Sequence, residues 1–449
     1  MSLLRMEFKW MIVLLLLFGT IFTIISSKIV VNDSFSSGQE RATDLHKSHV
    51  IKSIQSEDGD IIDCIDIYKQ PAFDHPALKD HKIQLRPSHD VKTENTSASK
   101  KMYVGRNIGS PVTVTTQTWH KSGSCPKGTI PIRRTQTNYG SKGQSDSNYA
   151  RKTPVLLHNE KQANESKKLY LLQTNHSLAI LHADGFAYMG AKGDIRVWNP
   201  KVELDDEYST SQVALKSGPY YDYEAIEAGW AVNPKVYGDR KTRLFVYWTV
   251  DANQKTGCFD VTCPGFVQTS NEIALGAAIY PISKPTGLPY QITLYIHKVT
   301  KIQLIRNETF IKFSAYFVVF GFQDPATSNW WVQYGETINI GYWPHDLFAL
   351  LKFHAQTVQW GGEVYSPRVG THPHTSTAMG NGQFPDYVFG NSGSIKRMRV
   401  VENNMVLRLP QWVNGWSDEY DCYGIFYLSD YVEEPEFYFG GPGRNPVCP

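Results

Sequence analysis

The stretch Leu244-Phe-Val-Tyr-Trp-Thr-Val250 decides the fold class, because every residue after Leu244 is β-branched or aromatic. Such side chains lose χ1 freedom in a helix and pack well on a pleated surface, so the run reads as a strand. Runs of the same character recur at 178–182, 292–296, 311–319, 330–334, 400–409 and 423–428, separated by Gly, Pro, Asn and Asp. Only 345–353 carries a helical pattern, and it is short. Many strands without alternating helices predict an all-β protein, an antiparallel β-sandwich or barrel, over residues 169–449. The pattern alone does not choose between those two.

Upstream the composition changes. With 449 residues the chain is too long for one core of ordinary size, and a second folded unit is expected. Hydrophobic residues at 41% and charged residues at 20% mark it as globular, and a net charge of +2 gives no reason to expect a nucleic acid or an acidic surface as partner. Residues 1–27 hold Arg5 and Lys9, an apolar run at 10–25, then Ser26 and Ser27. That is the layout of a secretory signal, with an uncleaved anchor as the alternative. No later stretch is apolar and long enough to span a bilayer, so the mature product is expected to be soluble and extracellular, in cell wall, apoplast or vacuole. A polar leader follows at 28–57, then a smaller unit at 58–135. Residues 136–168 are rich in Ser, Asn, Gln, Lys and Gly and read as an exposed linker open to proteolysis.

Six cysteines in a secreted chain imply three disulfides, for which fifteen pairings are formally possible. Cys258 with Cys263 would staple a short loop, and Cys422 with Cys448 would tie down the C-terminal end. Cys64 is then left with Cys125. Their spacing lacks the paired short intervals of a zinc site, and no metal is expected. Sequons stand at Asn32, Asn95, Asn164, Asn175 and Asn307, candidate glycosylation sites in a secreted protein.

The familiar hydrolase motifs are missing: no His-Glu-x-x-His, no Gly-x-Ser-x-Gly, no Asp-Thr/Ser-Gly pair and no phosphate-binding loop. What stands out is two glutamates in unusual company. Glu227 lies in Tyr223-Glu-Ala-Ile-Glu-Ala-Gly-Trp-Ala-Val-Asn-Pro234. On a strand it shares a face with the small Ala225 and Gly229, while Ile226 and Ala228 face the other way. Glu363 lies in Val358-Gln-Trp-Gly-Gly-Glu-Val-Tyr-Ser-Pro367, where two glycines suggest close approach of another backbone. The plain alternative for each is a surface glutamate on a strand. Two carboxylates a few ångströms apart do not both ionise easily, so one holds a proton at higher pH than a free acid. The ionised member then takes a proton from water while the protonated member acts on the scissile carbonyl or the leaving amine.

At this point longer motifs become recognisable. Asp63-Cys-Ile-Asp-Ile-Tyr-Lys-Gln-Pro-Ala-Phe-Asp-His-Pro76 and Cys125-Pro-Lys-Gly-Thr-Ile-Pro-Ile-Arg-Arg134 resemble the activation peptide of the neprosin family of plant glutamic peptidases. His182-Ala-Asp-Gly-Phe-Ala-Tyr-Met-Gly-Ala-Lys-Gly193, Ile226-Glu-Ala-Gly-Trp-Ala-Val-Asn-Pro234, Tyr237-Gly-Asp239, Lys255-Thr-Gly-Cys-Phe259 and Cys263-Pro-Gly-Phe-Val-Gln268 resemble its catalytic domain. The resemblance spans 58–449. It implies a β-sandwich peptidase made as a proenzyme, acting at acid pH after proline without metal or cofactor. It also implies inhibition by its own propeptide, catalytic glutamates at Glu227 and Glu363, and the bridges Cys258–Cys263 and Cys422–Cys448. One segment departs from the family pattern: His374-Thr-Ser-Thr-Ala-Met-Gly-Asn-Gly-Gln-Phe384 carries Ala378 where Gln is expected and Gln383 where His is expected.

Trp230, Trp360 and Tyr365 are candidate walls of a cleft that binds a proline ring, with core packing as the alternative. Glu224 is expected on the solvated face and Asp222 has no role. His372 and His374 flank a proline in a loop rather than in a metal site. Trp330 and Trp331 point to opposite faces of a strand, so at most one lines a cleft. The protein is expected to be a monomer, and a carbohydrate- or cell-wall-binding or catalytically inactive sandwich protein is the competing class; a glycosidase would also use two acids, at one of two characteristic separations.

Overall fold

The computed structural model describes residues 49–88, 92–93, 113–134, 150–154, 175–298, 328–385, 391–430, 432 and 434–449. The expected strand at 311–319 and the sequons Asn32, Asn95, Asn164 and Asn307 lie outside these residues. Asn175 is described, and it stands in a turn with φ 70° just before a strand.

Counting strands of five residues or more, β1 is Val50–Gln55, β2 Ile61–Asp66 and β3 Thr129–Arg133. Then come β4 (His176–Arg196), β5 (Tyr208–Ser217), β6 (Glu224–Val232) and β7 (Arg243–Thr249). These are followed by β8 (Tyr290–Lys298), β9 (Trp330–Tyr334), β10 (Ile338–Trp343) and β11 (Ala355–Tyr365). Last are β12 (Gly393–Glu402), β13 (Val413–Ser417), β14 (Gly424–Leu428) and β15 (Glu436–Gly440). The protein is thus all-β and antiparallel, as expected.

Its two layers share one long strand. The first half of β4 pairs with β11 and β13, the second half with β8 and β12. Between the halves stands Gly185 with φ 95°, a conformation that costs glycine little and lets the strand turn from one layer into the other. The front sheet runs β13–β4–β11–β5–β6–β7, and the back sheet β10–β9–β8–β4–β12–β15–β14.

The core between the layers is unusually aromatic: Trp230, Trp248, Trp330, Trp331, Trp343 and Trp360 are all fully buried. The indole N–H of Trp230 donates to the carbonyl of Arg196, and that of Trp360 to Lys192, both in the back half of β4. These two tryptophans therefore belong to the core and not to a cleft wall. Strand alternation gives the reason: each lies three residues from its glutamate and faces the opposite way. Trp330 and Trp331 are likewise both core residues.

Two further expectations change. Glu224 is buried, and its carboxylate accepts hydrogen bonds from the N–H groups of Ala349, Leu350 and Leu351 at 2.7, 3.0 and 2.7 Å. Those same bonds draw the backbone of 349–351 away from a helix, so only a 3₁₀ turn, His345–Leu347, forms where a helical pattern was read. Asp222, given no role, is exposed.

The smaller unit begins earlier than its composition suggests, since β1 lies within the expected leader and buries Ile54. β1, β2 and β3 form an antiparallel sheet, and Cys64 is bonded to Cys125. Its underside packs Ile54, Ile62 and Trp119 on Ala274 and Ala277. Polar anchors reinforce this seam. Arg243 on β7 is fully buried and donates to Asp60 at 2.7 and 3.0 Å, and Gln70 and Gln268 bond reciprocally through amide and backbone.

Candidate active site

Glu227 on β6 and Glu363 on β11 flank the same strand, β5, one from each side. Glu227 stands opposite Ala214 and Glu363 opposite Thr210, so both side chains rise on one face of the front sheet. Of the two glycines before Glu363, Gly361 admits a close backbone as expected, and so does Gly229 beside Glu227. A Cβ at Gly361 would lie 2.3 Å from the Ala179 carbonyl oxygen, and one at Gly229 2.0 Å from that of Ser211.

The two carboxylates converge on a single cation that the linker supplies. The ammonium of Lys152 lies 2.7 Å from Oε2 of Glu227 and 2.6 Å from Oε2 of Glu363, and all three side chains are buried. Lys152 falls in the stretch expected to be exposed linker. Its polar surroundings hid it, because composition does not tell a solvated lysine from one folded back onto a buried acid pair.

Glu363 has further partners. Its Oε1 accepts from the Tyr208 hydroxyl at 2.7 Å and lies 2.7 Å from Nδ1 of His176. The other ring nitrogen of His176 is 3.1 Å from the carbonyl oxygen of Thr153. For Glu227, Lys152 is the one hydrogen-bond partner among the described residues.

Burial alone would push the Glu363 carboxyl up, but the Lys152 ammonium and the His176 ring outweigh it and hold the group well below the usual carboxylate range. Burial likewise opposes the charge on Lys152, and the two glutamates overcome it, so its ammonium is held on above its ordinary value. Burial and the neighbouring Glu363 raise the Tyr208 hydroxyl, which stays a donor. Lys216 lies over the Tyr223 ring at 5.0 Å and borders the same space, and burial lowers its affinity for a proton.

Gln212 completes the site. It lies on β5 midway between Ala214 and Thr210, hence between the two glutamates, is 5% exposed, and its Oε1 has no hydrogen-bond partner among the described residues. Tyr365 is half-buried, with its ring 5.0 Å from that of His176 and stacked on Tyr208 at 5.4 Å. The free space left around the acids is about 10 Å³, room for one water at most. A larger cavity of about 410 Å³ lies away from the acids, between Pro76–Lys82 and His345 with Asp346.

The remaining bridges are Cys258–Cys263 and Cys422–Cys448. His374 sits beside the second of these, and both sulfurs are committed to the disulfide, so the group does not hold a metal. His372 is an exposed loop residue bonded to the C-terminal Pro449 carbonyl. Among the described residues no helix is long and apolar enough to cross a membrane.

The family model for Neprosin matches residues 205–442, more than half of the chain, and that for the Neprosin activation peptide matches 53–182. Among solved structures, scytalido-glutamic peptidase with a peptide-based transition-state analogue is similar with TM-score 0.29 and 8% identity, over 60% of this chain and 98% of that one. With both its parts matched in order, the chain belongs to the Neprosin family and carries that family's activation peptide ahead of the Neprosin domain.

Proposed function

We propose that this protein is a secreted glutamic endopeptidase, made latent by its own activation peptide, that cuts peptide bonds after proline at acid pH using Glu227 and Glu363. The observation that carries this reading is the convergence of both carboxylates on one buried ammonium. Two buried acids facing one another are costly unless a counter-charge offsets them, and a fold keeps such a pair where chemistry needs it.

In this reading Lys152 occupies the place of both the catalytic water and the shared proton. While it is there, both carboxylates are ionised and neither donates. Linker cleavage within 136–168 and departure of Lys152 leave two adjacent carboxylates that hold one proton between them in acid. Glu363 keeps the bonds from Tyr208 and His176, which favour its ionised form; Glu227 loses its partner and takes the proton. Glu363 then removes a proton from water as the water oxygen bonds to the carbonyl carbon. Glu227 gives its proton to the leaving nitrogen as the carbon–nitrogen bond breaks. The pair ends with one proton, as it began. Three disulfides in one chain support folding in an oxidising compartment.

The test is a proline-containing peptide library digested with acid-processed protein at about pH 3–5, where a coupled pair holds one proton. Cuts after proline support the whole reading. Cuts elsewhere retain the peptidase and discard its proline preference. A folded, correctly processed protein that cuts nothing returns the reading to a binding sandwich.

A further inference from the structure

The guanidinium of Arg243 is shared between two parts of the chain. Of its five N–H groups, three are taken within the Neprosin domain itself. Nε donates to Asp239 at 3.0 Å, one terminal nitrogen to the same carboxylate at 2.5 Å, and the other to the Gly276 carbonyl at 2.7 Å. The Tyr237 ring adds a cation–π contact at 5.6 Å. The two N–H groups left over run side by side to the carboxylate of Asp60 in the activation peptide, at 2.7 and 3.0 Å. A fork fixed by three bonds of its own domain stays aimed, and its last two donors match one carboxylate.

Asp60 closes the turn between β1 and β2, where the Ser56 N–H donates to its carbonyl at 2.8 Å. Lys241 bonds the Asp58 carbonyl in the same turn and lies 3.9 Å from the Asp58 carboxylate. An acidic turn is thus seated on two cations of the Neprosin domain. That seat faces the groove. Arg243 stands opposite Ala231 on β6, Ala231 opposite Thr210 on β5, and Thr210 opposite Glu363 on β11. Residues directly opposite share a face, so one row across the front sheet joins Arg243 to the acid pair. Three strand spacings make the row about 14 Å, the reach of about four residues of extended chain.

We infer that Arg243 is a carboxylate-binding subsite of the processed enzyme, which takes an acidic group of the polypeptide substrate, from an Asp or Glu side chain or from a chain end, about four residues from the cut bond. This rests on the peptidase reading of Glu227 and Glu363 and on departure of the activation peptide. Asp60 fills the site in the proenzyme. Once it leaves, Arg243 keeps its three own bonds and presents two parallel donors with no acceptor. Asp239 balances one positive charge there, and Lys241, 3.6 Å from Asp239, supplies a second. An asparagine or glutamine brings one acceptor oxygen and no charge to a fork built for two, so the geometry discriminates acid from amide.

The first arm of the test gives matched proline peptides to acid-processed full-length protein at about pH 5, where Asp and Glu side chains are ionised. The peptides are amidated at the C-terminus and carry Asp or Asn at successive positions on either side of the cut. At one position about three to five residues away, Asp is expected to raise kcat/KM at least tenfold over Asn, through KM. Arg243→Gln should bring that ratio below about twofold. A companion set with Asn throughout and a free C-terminal carboxylate at the same distance shows whether a chain end serves as the acid. No preference in either set, from an enzyme that cleaves, overturns the inference and leaves the peptidase in place. The second arm needs no cleavage. The turn peptide of residues 55–61, natural and with Asp60→Asn, is titrated by calorimetry into processed protein freed of its activation peptide. The natural peptide is expected to bind at least tenfold more tightly; equal binding, or none by either, overturns the inference. Discrimination between the two by a protein that cleaves nothing would keep the carboxylate site and remove the peptidase reading. If Arg243→Gln does not fold, the peptide comparisons on wild type decide.

Discussion

The ammonium of Lys152 stands 2.6 Å from Oε2 of Glu363, a residue 211 positions further along the chain. Removing that charge separates two roles that latency combines. In Lys152→Met the linker still covers the groove, but the acid pair is free to hold a proton. The uncut variant is still expected to show no turnover at pH 4, because the linker fills the groove, while after linker cleavage its activity should match that of processed wild type. Losing one partner of a buried ionic cluster costs about 3–5 kcal/mol, so its unfolding midpoint should also fall. The fall should be larger at pH 7, where both glutamates are forced to ionise, than at pH 4. Proteolytic assay with and without linker cleavage, alongside urea titration at both pH values, measures each.

Acid should also loosen the activation unit. Burial lowers the pKa of His75 to about 4, edge-on to Trp248 at 6.1 Å, and its Nδ1 accepts from the Ala77 N–H, which requires an unprotonated nitrogen. Burial lowers His81 as well, bonded to the Tyr342 hydroxyl. A depressed histidine stabilises docking fully above its free value near 6.5, and this contribution is lost as pH falls from there toward about 4. The loss is at most about 1.4 kcal/mol per pH unit for one group. Asp60 has a lower window: burial raises it, its bonds to Arg243 and Arg133 outweigh that, and its contribution persists until pH falls below 3.8. With the linker cut, size-exclusion chromatography at pH 7, 5.5 and 4 should show progressive release of the activation unit, and His75→Phe should flatten the trend. Unchanged retention across this range would refute the histidine mechanism.

Gln212 offers a buried amide between the glutamates with an oxygen that has no partner among the described residues. On the proposed mechanism its amide is placed to meet the reacting carbonyl. Gln212→Leu is expected to lower kcat by about 10²-fold, the size of losing one polar contact to a transition state. Stability should change little, because an unsatisfied buried group is removed. Wild-type kcat in a folded variant would exclude Gln212 from the chemistry.

Glu224 and Trp360 are predicted to matter for the scaffold alone. Glu224→Ala strands three backbone N–H groups and should cost about 3 kcal/mol, while Trp360→Ala opens a core cavity worth about 3–5 kcal/mol. Urea unfolding measures both. Cleavage preference of the processed Trp360→Phe enzyme should match wild type; an altered preference would put Trp360 back in the cleft.

These residues also show what could be read from the chain. Strand runs such as 244–250 and 330–334 were legible because β-branched and aromatic residues leave few other options. Glu227 and Glu363 were legible as oddities, acids flanked by glycine and tryptophan. Parity already placed Trp230 and Trp360 opposite their glutamates, three residues away, and a cleft role for them ignored that. Glu224 was placed on the correct face, but its neighbour there, the 349–351 loop, is distant in sequence. Lys152, Tyr208, His176 and Gln212 carry no local signal at all. What makes them part of the site is the pairing of β4, β5 and β11, a tertiary fact.

The most direct test of the account is the pH–rate profile of acid-processed protein on one proline peptide, run beside Glu227→Gln and Glu363→Gln. The account predicts a bell-shaped wild-type profile with its maximum in acid, and a loss of at least about 10³-fold in each variant, since neither half of the pair replaces the other. If either variant keeps wild-type kcat, the hydrolytic chemistry lies elsewhere and the pairing of Glu227 with Glu363 is only structural.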